Sequence, residues 1–348
     1  MNIKSLLLGS AAAMAVVSGA QAADAIVAAE PEPMEYVRVC DAFGKGYFYI
    51  PGTETCLRVY GYVRTEFRYR ENEYTNGGDI DAYSRGYLTF AAKNDTELGV
   101  VSSYINIQAD TEGSAFVDGA WINVAGFDVG YFYNWWDDGL SGETDELGSN
   151  LFNAIRYTYD GGTFLAGVAV EELDNGVNAK WNDNIGVSGK LGFTVGGVKA
   201  DVIASYDFDA EEAAFRGMMF ADIGPGTFGL AGIYATDPNA YYSAAEWTVA
   251  AEYAIKATDK ITITPAAQYF GNVNTRYRAG TLGFIDTNPS ARGAFSSSDA
   301  WKVGLTAGYQ ITEGLKTLAT VNYVKFDNAP SNIDDSKWTG FLRLQRDF

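Results

Sequence analysis

WKVGLTAGYQI, running from Trp301 to Ile311, decides the fold. Trp301, Val303, Leu305, Ala307, Tyr309 and Ile311 fall on one parity, with Lys302, Thr306 and Gln310 on the other. Successive side chains of a β-strand point to opposite faces, so this segment has one apolar face and one wet face. The rhythm recurs along the chain. Trp247, Val249, Ala251, Tyr253 and Ile255 alternate with Glu246, Thr248 and Glu252. Ile185, Val187, Leu191 and Phe193 alternate with Asn184, Ser188, Lys190 and Thr194. Beyond the N-terminal leader, no stretch reaches the ~18 consecutive apolar residues that a membrane helix needs.

The connections between these segments alternate in length. Short ones are Lys93-Asn94-Asp95-Thr96, Ala125-Gly126, Asp160-Gly161-Gly162, Gly196-Gly197, Gly224-Pro225-Gly226, Ala257-Thr258-Asp259 and Thr312-Glu313-Gly314. Between them lie mostly longer stretches at 71–80, 110–114, 134–150, 173–180, 209–212, 237–242, 271–298 and 327–335. Eight loops and seven turns imply sixteen strands. A soluble sandwich gives no reason for such alternation. An outer-membrane barrel does, with tight periplasmic turns and larger external loops. The expected fold is all-β: a sixteen-stranded antiparallel transmembrane β-barrel. Aromatics crowd the strand ends at Tyr47-Phe48-Tyr49, Tyr131-Phe132-Tyr133, Trp135-Trp136, Tyr241-Tyr242, Trp301 and Trp338. In a barrel they would form interfacial girdles. The last strand places Trp338, Leu342, Leu344 and the terminal Phe348 on one parity, with Arg346 as the exception.

Composition agrees with export. Lys4, an apolar run from Leu6 to Val17 and a terminal Ala20-Gln21-Ala22 form a secretory signal peptide over residues 1–22, with cleavage before Ala23. The organisation expected is a signal at 1–22, a disulfide-tied hairpin segment at 23–56 and a barrel at 57–348. Cys40 and Cys56 are the only cysteines. In an oxidising compartment a disulfide between them is the natural reading, and the pair is too sparse for a metal site. The formal net charge is −19 over all 348 residues, and Lys4 is the only charge in the leader. An acidic chain lacks the basic patch that phosphate contacts require, which argues against nucleic acid as a partner. The absence of histidine removes Ser-His and Cys-His nucleophile pairs and His-ligated zinc, so neither an enzyme nor a cofactor is expected.

The stretch Glu30-Pro-Glu-Pro-Met-Glu-Tyr-Val-Arg-Val-Cys40-Asp-Ala-Phe-Gly resembles the mature N-terminus of alphaproteobacterial general porins of the rhizobial and brucella type. Tyr47-Phe-Tyr-Ile-Pro-Gly-Thr-Glu-Thr-Cys56-Leu-Arg and the ending Leu344-Gln-Arg-Asp-Phe348 resemble them as well. These motifs cover the two ends; the middle is similar in length and strand rhythm. The resemblance implies a homotrimer in the outer membrane, with a third external loop folded into each lumen. It also implies as partners the surrounding lipid and lipopolysaccharide, the barrel-assembly machinery, and small polar solutes and ions.

The candidate site is a constriction. Arg58, Arg64, Arg68 and Arg70 share a parity on the first strand with Tyr60, Tyr62 and Glu66, while Leu57, Val59, Val63 and Phe67 take the other. Arg85 on the next strand and Arg156 on the sixth keep the wet parity. Any one of these is most simply a solvated charge; several on one lumen wall would set ion preference. The third loop, 134–150, carries Asp137, Asp138, Glu143, Asp145 and Glu146 and no basic residue, and Gly139, Gly142 and Gly148 give it freedom to fold sharply. Folded inward, its acids would face the arginines across a narrow aqueous gap. Passive diffusion of small hydrophilic solutes and ions is the function expected. Two alternatives are a sugar-selective channel, with Trp135 and Trp136 stacking on sugars, and a plugged structural or adhesive barrel.

Overall fold

The computed structural model describes residues 38–71, 78–111, 113–173, 185–274, 294–327 and 334–348. The expected signal at 1–22, the first part of the hairpin segment and parts of five of the long connections lie outside the described residues.

Seventeen strands occur among the described residues. β1 (Phe48–Tyr49) is a two-residue strand, and sixteen long strands follow it. They are β2 (Cys56–Glu71), β3 (Gly78–Thr96), β4 (Gly99–Asp110), β5 (Phe116–Val124), β6 (Phe127–Tyr133), β7 (Leu151–Asp160), β8 (Phe164–Glu172) and β9 (Ile185–Val195). The second half comprises β10 (Val198–Asp207), β11 (Glu212–Ile223), β12 (Gly226–Ala235), β13 (Ala245–Lys256), β14 (Ile261–Val273), β15 (Ala300–Thr312), β16 (Leu315–Phe326) and β17 (Ser336–Asp347). Each pairs antiparallel with the next, and β17 pairs with β2, so the sheet closes on itself. Closure removes every free edge, as a sheet in hydrocarbon requires. Backbone bonds between Gly61 and Phe348 in both directions, each 3.0 Å, extend the closing ladder to the last residue.

The parity reading holds on the outer face. Val249 and Leu305 are 46% and 44% exposed, against 3% for Glu252 and 4% for Thr306. Outward apolar side chains on a closed barrel have only lipid to cover them. The inward pair differs from expectation: Glu252 and Thr306 meet the third loop rather than open water. On intact membranes, Val249→Cys and Leu305→Cys should resist a membrane-impermeant maleimide, while Gln310→Cys, exposed on the inward parity near a turn, should react. Labelling of the first two in place of the third would overturn the strand facing.

One expected turn moves. Asn94 and Asp95 have turn chemistry, yet β3 continues through Thr96, pairing Asn94 with Val101 and Thr96 with Gly99. The reversal is at Glu97-Leu98. Gly99, at φ +88°, supplies the left-handed backbone there, and the Thr96 hydroxyl donates to the Gly99 carbonyl at 2.8 Å. Ala125-Gly126 turns where expected, with φ positive at both residues, the geometry that suits strand twist in a two-residue hairpin.

Outward aromatics form ladders near the strand ends. Trp247 meets Tyr269 at 5.3 Å between centroids; Trp301, Tyr323 and Trp338 continue at 5.3 and 4.9 Å. Other expected girdle members belong elsewhere: Trp135, Trp136, Tyr241 and Tyr242 are buried in one inner cluster, Tyr47 is buried beside the Cys40 and Cys56 sulfurs, and Phe132 is buried beneath Arg156. Arg346 escapes the lipid band because β17 ends beside a turn, where its guanidinium donates to the Glu313 carbonyl at 3.2 Å.

Cys40 and Cys56 form a disulfide, with Cα atoms 5.9 Å apart. It pins β1, which pairs Phe48 with Leu57, to the start of β2. The two sulfurs are buried with Tyr47 and Ala91 and pack near Tyr60 and Tyr104. Ala91 and Tyr104 pair across the ladder, and Ala91 pairs with Arg58. The tied segment therefore lies on the inward face of β2–β4, at the turn end.

Candidate functional site

The loop between β6 and β7 is built as a strap. Backbone Asn134 donates to the Asn150 carbonyl at 2.9 Å and closes its base. The Asn134 side chain accepts from Trp136 N at 2.9 Å, capping a single 3-10 turn at Trp135–Asp137, and donates to Glu171 on β8. The Trp136 indole donates to Ser205 on β10 at 2.9 Å. Arg216 on β11 is 1% exposed, and its guanidinium donates to the carbonyls of Trp135, Trp136 and Asp138 at 2.5, 2.9 and 2.6 Å. Three backbone acceptors that would be orphaned under the loop are thus satisfied by one planar fork.

The apex hangs from a carboxylate. Glu252 on β13 accepts from Ser141 N and Gly142 N at 2.7 and 2.8 Å and from the Ser141 hydroxyl at 2.5 Å. A Cβ at Gly142 would stand 2.9 Å from Glu252 Oε2, so glycine permits the approach. Beyond it, Glu143 N donates to Thr306 on β15, and Asn322 on β16 donates to the Glu143 carbonyl. Glu146 N donates to Gln268 on β14 at 2.7 Å, and the Asn150 amide returns to the Tyr241 carbonyl at 3.1 Å. The loop thus runs inside the barrel along the wet parity of β8 to β17.

Its acids are held by cations of that wall. Asp138 pairs with Lys190 at 2.7 Å, Glu143 with Arg343 at 2.9 Å and Glu146 with Lys302 at 2.8 Å. Asp137 accepts from the Ser149 hydroxyl at 2.6 Å. Burial, with Asp138 nearby, pushes the Asp137 carboxyl above the usual range. Asp145 accepts from Leu140 N at 3.4 Å; burial, and then Glu252 beside it, push its carboxyl up to about 6.

The six arginines sit on the other side, on β2, β3 and β7. Arg58 stacks 4.5 Å over Tyr60. Arg64 donates to Gln345 at 2.8 Å and lies 4.7 Å over Tyr62. Arg68 pairs with Glu66 and donates to the Tyr83 hydroxyl at 2.7 Å. Arg70 pairs across the ladder with Asp79 and Thr339. Arg85 holds Asp110 through two bonds of 2.7 and 3.1 Å, and Arg156 holds Asp128 at 2.8 and 3.1 Å. Among the described residues no ion pair joins these arginines to the loop acids. Arg68, Arg85 and Arg156 have carboxylate partners on their own wall, and Arg343 joins the two sides, holding Glu143 of the loop and Glu66 of β2 at 2.9 and 2.6 Å. The anchors Lys190, Arg216, Glu252, Lys302 and Arg343 were not expected from sequence as site residues. The available signal was a charged side chain in mid-strand on the wet parity.

The family described as "Porin subfamily" matches residues 24–348. "Outer membrane protein IIIA" of Rhizobium leguminosarum bv. viciae is 47% identical over 348 residues, covering 93% of this chain and 90% of that one. "Porin Omp2b" of Brucella neotomae is 32% identical over 388 residues, covering all of both chains. Among solved structures, the trimer form of OmpT, an outer membrane protein of Vibrio cholerae, is similar in fold at TM-score 0.60 and 12% identity, over 85% of this chain and all of that one.

Proposed function

The chain belongs to the porin subfamily, and as an outer-membrane porin it forms a channel for small hydrophilic solutes; we propose that they pass between the third loop and the β2–β7 wall. One observation carries this route: the loop is bonded to strands β8 to β17 and leaves the inward face of β2–β5 with its arginines to line a passage. In this reading Arg58, Arg64, Arg68, Arg70, Arg85 and Arg156 form the basic side, and Asp137, Asp138, Glu143, Asp145 and Glu146 the acidic side. The leader at 1–22, the hairpin segment at 23–56 and the barrel at 57–348 remain its organisation; the start of β2 at Cys56 supports the last boundary. A homotrimer in contact with lipid and lipopolysaccharide, delivered by the barrel-assembly machinery, completes the reading, supported by the trimeric solved relative. Sugar stacking on Trp135 and Trp136 is disfavoured, because both rings are buried under the loop.

Because Arg68, Arg85 and Arg156 on the basic side and Asp138, Glu143 and Glu146 on the acidic side each have an ion-pair partner, selectivity should be weak. External acids tip it toward cations within a Debye length of ~8 Å. Asp137→Asn with Asp138→Asn should move the reversal potential toward anions, and Arg64→Gln with Arg68→Gln toward cations. The measurement is a salt gradient across a planar bilayer at low ionic strength. If neither pair moves it, the passage does not run between these surfaces.

A further inference from the structure

The geometry points to a binding site for small hydroxylated carboxylates in the lumen at the turn end, between Arg64, Lys260 and the neutral side chains around them; it rests on the channel reading. A pocket of 540 Å³ lies there, lined on β14–β17 and the β13–β14 turn by Lys260, Thr262, Gln310, Lys316 and Arg343, and by Arg64 of β2. That volume suits a solute of hydroxy-acid or sugar-acid size. Thr262 and Gln310 stand on the inward parity, since they pair with Gly308 and Lys316.

The charge inventory favours an anion. Arg343 is committed to Glu66 and Glu143, and Lys316 to Asp347 at 2.9 Å. Arg64 and Lys260 are different. Arg64 donates its Nε to the neutral Gln345, and the Lys260 ammonium donates to the Ile311 carbonyl at 3.2 Å. Among the described residues neither has a carboxylate partner within ion-pair distance. Asp259 is the one carboxylate that lines the pocket. The Arg64 Nη groups and two Lys260 protons stay available, and a carboxylate is the acceptor a guanidinium fork matches. Thr262 and Gln310 supply neutral partners for hydroxyls. Arg343 lines the pocket while gripping Glu143, so the pocket lies against the third loop on its turn side. An anion entering from the loop side must first pass the loop acids. One entering from the turn side does not.

The test is single-channel recording in planar bilayers with citrate and gluconate as probes and glucose and sulfate as controls. Citrate and gluconate should interrupt the open current, more often from the turn side, and glucose should not. Arg64→Gln with Lys260→Gln should lower the interruption frequency about tenfold, in the range that local steering supplies. If that double variant fails to assemble, Lys260→Gln alone, an exposed turn substitution, should still lower it about threefold. Unchanged frequency in the variants would overturn the site, as would sulfate matching citrate at equal ionic strength or glucose matching gluconate. Absence of any channel current from the native protein would instead remove the channel reading, and this site with it.

Discussion

Arg216→Ala is expected to release the first half of the third loop and give a channel that is larger and noisier than the native one. The side chain is enclosed and serves three carbonyls of Trp135, Trp136 and Asp138. An unsatisfied buried acceptor costs about 1–3 kcal/mol, so three together cost on the order of 5 kcal/mol of loop docking. Water entering the vacated space would recover part of that and loosen the segment in doing so. Removing the guanidinium also strips a cation from beside the Trp136 ring, 5.4 Å from its centroid. Glu252, Lys302 and Arg343 would still hold the apex and the return limb, so the effect should concentrate between Asn134 and Leu140. Arg216→Lys should be intermediate, because a compact ammonium cannot span three acceptors as a planar fork does. The readouts are open-channel noise and proteolysis within the loop. Heat resistance of the barrel in detergent should change little, since no ladder bond is lost. Unaltered noise together with full protease resistance would show that the carbonyls are not what holds the loop.

That anchor illustrates where sequence was informative and where it was not. Alternation of period two exposes facing directly, because Leu305 and Thr306 differ only in which side of one sheet they occupy. Loop-length alternation exposes topology, because a closed antiparallel sheet must turn at two ends. Neither pattern encodes which wet-parity residue a loop will reach. Arg216 and Arg64 read alike in sequence, as basic residues on the wet parity. The first is enclosed by backbone, while the second lines a pocket, and the difference lies in the path of a loop contributed by another pair of strands. The same applies to Tyr241 and Tyr242. Near a strand end they have the composition of a girdle, but the inward course of Asn134–Asn150 supplies a partner, and their rings pack near Trp136. The displaced turn at Glu97-Leu98 has a local cause: a single glycine with positive φ outweighed two residues with turn chemistry.

Titration of Asp145 should couple the loop to acid. Burial first, and then the neighbouring Glu252, raise its carboxyl from an ordinary 3.8 to about 6, against the pull of the Leu140 amide and Lys302. A carboxyl raised by folding binds its proton more tightly in the docked loop than in a released one. Docking is therefore strongest when Asp145 is protonated, and it weakens as pH rises from about 4 through about 6. Across that window the difference is about 3 kcal/mol, less whatever the aqueous lumen screens. At neutral pH the ionised group strains against Glu252, and below about pH 5 it does not. Lowering pH from 7.5 to 5 should therefore quieten open-channel noise and, with one acid fewer beside the passage, reduce the preference for cations. Asp145→Asn should abolish both changes and behave at pH 7.5 as the native channel does at pH 5, with the loop more resistant to protease. Glu252→Gln tests the cause separately: removing the adjacent charge should shift the midpoint of the noise transition to lower pH, although a weaker acceptor then holds Ser141 and Gly142. A noise transition that persists unchanged in Asp145→Asn would assign the pH response to another group and remove Asp145 from the account.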